Sequence, residues 1–109
     1  MTQTRLTYRR QALTLISVMR NRSVSEPQVG QTRALLASNL VVLRRQAGLS
    51  QEALALEAGV HRTFVAHVER GARNLSIDSV EKLAIGLRVP PVVLLAPDME
   101  TLKSLTSAE

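Results

Sequence analysis

The chain of 109 residues has no cysteine. That excludes a disulfide framework, a zinc-thiolate site and a thiol nucleophile, and it suits a reducing compartment. Tryptophan is also absent, and the aromatics are limited to Tyr8 and Phe64. Unpaired bases would therefore find almost no stacking platform. No apolar run approaches the ~20 residues that a membrane span needs. The N-terminal stretch "MTQTRLTYRRQALTLISVMRNR" is basic, but no uninterrupted apolar core or small-residue cleavage site follows it, so it does not read as a secretory signal. The expected compartment is the cytoplasm, with no membrane contact. There is no glycine-rich phosphate loop, and Ser50 fits a helix cap better than a nucleophile. An enzyme is not expected.

What is present is positive charge, unevenly spread. The formal charge is +5, and residues 1–33 alone carry +5, from six arginines and one glutamate. Residues 34–96 carry +2 and residues 97–109 carry −2. A basic, aromatic-poor chain favours the phosphate backbone of a duplex over unpaired bases.

The chain divides into a basic N-terminal extension over 1–33, a core over 34–96 and a short tail over 97–109. "SVSEPQVGQ" closes the extension, with Pro27 and Gly30 as breakers. Five helices are expected in the core. The first, about 33–47, repeats Leu36, Leu40 and Leu43 at helical spacing and stops at Gly48. Ser50 caps the second, about 51–58, with Leu54, Ala55 and Ala58 inward, and Gly59 stops it. The third, about 62–70, turns Val65 and Val68 inward and ends at Gly71. Ser76 caps the fourth, about 77–87, whose apolar stripe is Ile77, Val80, Leu83, Ala84 and Leu87. The fifth begins at Pro90 or Pro91, where proline costs little. No stretch alternates like a solvated strand, so the expected fold class is all-α.

Two short helices joined by a glycine turn make a helix-turn-helix. With Val65 and Val68 against the core, Arg62, Thr63 and His67 face away from it. Thr63 and His67, four apart, share one face. That face suits the major groove of DNA, which carries a distinct donor and acceptor code. Arg62 could fork to guanine, Thr63 could meet a base edge or a thymine methyl, and His67 could donate or accept. His61 and Gln51 stand at helix N-termini, which favour phosphates.

Residues 35–96, through "LRRQAGLSQEALALEAGVHRTFVAHVERGARNLSIDSVEKLAIGLRVP", resemble the lambda-repressor-like Cro/repressor-type (XRE) helix-turn-helix family. The resemblance implies a five-helix domain whose third helix reads double-stranded DNA. It implies that Gln51 binds a phosphate while positioning that helix, and that Arg70, Gly71, Arg73 and Asn74 match positions that touch the DNA backbone. It also implies a buried ion pair between Arg44 and Glu69. Leu75 departs from the usual proline, and Ala53 and Leu56 replace usually charged positions. Gly86 replaces a common alanine, expected to weaken the fourth helix by ~1 kcal/mol.

Val92, Val93, Leu94 and Leu95 exceed what one short helix can turn inward, and leftover apolar surface points to a partner. A homodimer through these residues, on a palindromic operator, would place two recognition helices ~34 Å apart. The competing reading has the tail, with Leu102 and Leu105, fold back over the run. Nothing after residue 96 is expected to sense a ligand, so control would come from protein concentration. Small controller proteins of restriction–modification systems, phage or plasmid repressors and antitoxins all fit this outline.

A reading of another class is a protein-interaction module, such as an antitoxin that masks a toxin, with DNA binding secondary. The polar third-helix face favours the DNA reading. No metal or cofactor is expected: His61 and His67 lie about 240° apart around a helix and nothing completes a site. In the extension, Leu6, Leu13 and Ile16 hint at a basic helix. A basic arm on DNA and a translation start at Met19 explain the extension equally well.

Overall fold

The structure, a computed structural model, describes residues 9–13 and 28–107, and every regular element among them is a helix. In chain order these are α1 Gln31–Gln46, α2 Gln51–Ala58, α3 Arg62–Glu69, α4 Ile77–Leu87, α5 Pro91–Leu94 and α6 Met99–Ser107. Residues 9–13 are helical as well. Leu6, Ile16 and Met19 lie outside the described residues.

Local chemistry sets the boundaries. Ser50 Oγ accepts the Ala53 N–H at 3.0 Å and Ser76 Oγ accepts that of Ser79 at 3.1 Å, so both expected caps are made. At the end of α2, Gly59 takes φ 70°, and the Val60 N–H reaches back to the Ala55 carbonyl at 2.9 Å. That left-handed turn needs a residue free of Cβ crowding, and it sets the angle between α2 and α3. α4 closes with a similar turn, but Arg88 supplies the left-handed residue, at φ 60°.

The core is one cluster. Leu40, Leu54 and Leu83 are completely buried, with Val65 and Val68 beside them, as the helical spacing predicts. α2 packs chiefly on α4 and α3, while α1 rests on α3 and α5. Replacing any one of these leucines by alanine costs ~2–5 kcal/mol. Gly86 is where α4 meets α2. A Cβ there would lie 3.0 Å from the Ala58 Cβ and 3.1 Å from its backbone nitrogen. The glycine expected only to weaken α4 is what lets the two helices approach.

Two expectations are corrected. Ile77, placed in the inward stripe, is 77% exposed, because α4 extends one turn past the edge of the core. Val93 and Leu94, assigned to a dimer interface, are buried within the monomer. α5 is a single turn, and two of its apolar residues face the core while Val92 and Leu95 stay exposed. The packing agrees with the competing reading of the tail: α6 lies on α5 and buries Thr101, Leu102 and Leu105. α1 begins at Gln31, and buried Gln11 donates to the Leu105 carbonyl at 3.1 Å.

Among the described residues, buried Gln11, Asn39 and Thr101 were not anticipated. Asn39 lies in the apolar stripe of α1 and donates to the carbonyls of Leu94 and Ala96, at 3.0 and 2.8 Å. It satisfies the carbonyls that a one-turn helix leaves without partners.

Candidate nucleic-acid interface

α3 is held from behind and free in front. Val65 and Val68 are almost fully buried, while Arg62 and Thr63 are exposed and His67 is half-buried. An eight-residue helix has little stability of its own, so this valine grip fixes it.

Its C-terminal end is tied by charge. Glu69 accepts from Arg44 Nε and from Arg44 Nη2 at 3.1 Å, a two-pronged pair across α1 and α3. Arg44 Nη1 also donates to the Leu49 carbonyl at 2.8 Å, and Gln51 Nε2 donates to Glu69 at 2.8 Å. Three helices thus meet at one carboxylate. Burial pushes the Glu69 pKa up, but the hydrogen bonds from Arg44 and Gln51 and the charges of Arg44 and Arg45 outweigh it, so the net shift is downward. The ion pair anticipated from the sequence is present. Gln51 spends its amide on Glu69, so its place here is as a brace for α3.

The exposed face opens onto a groove of about 520 Å³ between α3 and the start of α4. His61, Thr63, Phe64, His67, Arg73 and Ser79 line it, with Gly59 and Val60 at one end. The structure therefore gathers His61, Thr63, His67 and Arg73. Arg62 borders an adjoining hollow with His61, Glu52 and the exposed Leu56. Asn74 faces another groove, beside Ile77 and Leu95, and Arg70 lines neither groove. The residue that sequence reasoning passed over is Phe64. The Arg73 guanidinium sits over its ring, 5.5 Å from the centroid. As the chain's one phenylalanine, half exposed on the recognition face, it could have been noticed.

A helix-turn-helix family model, HTH_3, matches residues 42–94. A hypothetical transcription factor from Neisseria, known from its crystal structure, is 40% identical and superposes with a TM-score of 0.63 over 75% of this chain and 95% of that one. The chain belongs to the XRE-type helix-turn-helix family. A second structural relative of this helix-turn-helix chain is the restriction-modification controller protein C.AhdI from Aeromonas hydrophila. It is 42% identical, with a TM-score of 0.56, over 57% of this chain and 94% of that one. The control protein C.BamHI of Bacillus amyloliquefaciens is 46% identical over 50 residues, 46% of this chain and 62% of its own. The family is one of DNA-binding transcriptional regulators, not enzymes. Among the described residues, no helix is long and apolar enough to cross a membrane.

Proposed function

We propose that this helix-turn-helix regulator binds a two-fold symmetric operator as a homodimer, with α3 of each protomer in the major groove. The carrying observation is the division of α3 into a buried valine side and an exposed side bearing Arg62, Thr63 and His67. Arg62 forks to a guanine edge, Thr63 meets a base edge or thymine methyl, and His67 completes the reading. His61, Arg70, Arg73 and Asn74 hold the sugar–phosphate backbone on either side. Gln51 sets the angle of α3 through Glu69 and turns its remaining acceptor or donor toward a phosphate when DNA is bound.

The dimer surface is smaller than the run Val92–Leu95. It comprises the accessible residues Val92 and Leu95 with Ile77, which shares an open groove with Leu95. Ile77 and Leu95, both exposed and lining one groove, support a partner there. The controller proteins among the relatives support a role in gene control.

Selection of bound sites from random duplexes is the direct test. The recovered sites should share a two-fold symmetric sequence with half-sites about one helical turn apart. Arg62→Ala should then weaken binding to the selected site by ~1–3 kcal/mol, relax one base position per half-site and leave random-duplex binding nearly unchanged. Equal losses on selected and random duplexes would remove the base-reading role.

A further inference from the structure

We propose that Phe64 is a positioning residue for DNA binding: its ring is the shelf that fixes the Arg73 guanidinium at the rim of the α3 groove. This rests on the DNA reading given above and adds to it the device by which a loop arginine is aimed.

Arg73 lies between α3 and α4, in a stretch without helical hydrogen bonds to order it. An exposed arginine there would wander among rotamers, and each phosphate contact would have to offset that lost freedom. Among the described residues no carboxylate pairs with Arg73. What it has instead is the Phe64 ring, 5.5 Å below its central carbon. Stacking on a ring leaves the guanidinium N–H edges open, so the same group can be held by the protein and still reach an anion. Phe64 belongs to α3 and is only half-buried. Its ring therefore moves as one body with Thr63 and His67, which line the same groove. The helix that reads the bases thus also sets where the backbone cation stands, which couples register on the phosphates to register on the bases.

The competing explanation is that Phe64 merely fills space between α3 and its neighbours, and Phe64→Leu preserves that packing while removing the ring face. Binding is measured by fluorescence anisotropy on a selected site and on a random duplex, across a salt series. Phe64→Leu should lose about two- to fivefold on both duplexes, the range of an exposed cation–ring contact. Its salt slope should fall toward that of Arg73→Ala. Phe64→Tyr should restore binding, and Phe64→Leu combined with Arg73→Ala should bind no worse than Arg73→Ala alone. Wild-type binding by Phe64→Leu, or losses that multiply in the double variant, would overturn the inference. A readout independent of any variant's folding is the NMR shift of the Arg73 Nε–H proton in the unmutated protein. An upfield ring-current shift supports the stack, and a random-coil shift overturns it. If the unmutated protein binds no duplex at all, the DNA reading falls first. If it binds and the cycle is additive, only the role of Phe64 falls.

Discussion

At the residue scale, two positions carry costs that folding has accepted. Arg88 holds a left-handed conformation that suits glycine, and the backbone turn closing α4 holds it there. Arg88→Gly should relieve that strain while losing some stability through a more flexible unfolded chain. The expected net gain is about 0.5–1 kcal/mol, read as a higher thermal midpoint. Glu69 is the other position. Its carboxyl is held below the ordinary glutamate value of 4.5, so its contribution to stability is complete above that pH and is lost as pH falls through the lowered folded value. Denaturation midpoints measured against pH should drop below about 4.5 in the wild type. In Glu69→Gln that acid limb should be shallower. Glu69→Ala should cost ~3–5 kcal/mol at neutral pH, because the Arg44 charge would be left buried without its partner.

At the element scale, how much of the fold was legible depended on length and on local chemistry. The starts of α2 and α4 and the ends of α2 and α3 could be read closely because serine caps and glycine stops act within a few residues of where they stand. The faces of α1 and α3 were legible because leucines and valines repeat over enough turns to define a direction. α5 was not: one turn cannot show a period, so the sequence could not say that Val93 and Leu94 turn in while Val92 and Leu95 turn out. The burial of α6 was open to two readings, because it depends on which residues of α5 the core absorbs. Asn39 was legible in principle, since it falls at helical spacing among Leu36, Leu40 and Leu43. A polar residue in an apolar stripe announces a partner but not which one. In the candidate interface, spacing marked Thr63 and His67 and the family resemblance marked Arg73, whereas the Phe64 stack needed three-dimensional proximity. Gly86 teaches the reverse lesson. Propensity alone favours alanine by ~1 kcal/mol, yet the backbone nitrogen of Ala58 stands 3.1 Å from where its Cβ would be. Gly86→Ala should therefore destabilise the domain by about 1 kcal/mol, measured as a lower urea midpoint at unchanged slope.

At the scale of the whole molecule, folding leaves several large apolar side chains exposed, Leu56, Ile77, Ile85, Val92 and Leu95 among them. Val92, Leu95 and Ile77 are 40%, 42% and 77% exposed, next to side chains that the core has absorbed. If the proposed homodimer forms through this surface, Leu95→Glu with Val92→Asp should leave a monomer in sedimentation equilibrium. The thermal midpoint of the isolated fold should change little, because neither side chain belongs to the core cluster. Specific DNA affinity should collapse toward that of a single half-site.

The junction at Glu69, where α1, α2 and α3 share one acceptor, also bears on engineering. The side chains that brace α3 there, Arg44, Gln51 and Glu69, are distinct from Arg62, Thr63 and His67. Exchanging only Arg62, Thr63 and His67 should therefore alter which operator is chosen while keeping the docking pose, so the scaffold can be retargeted without rebuilding its frame.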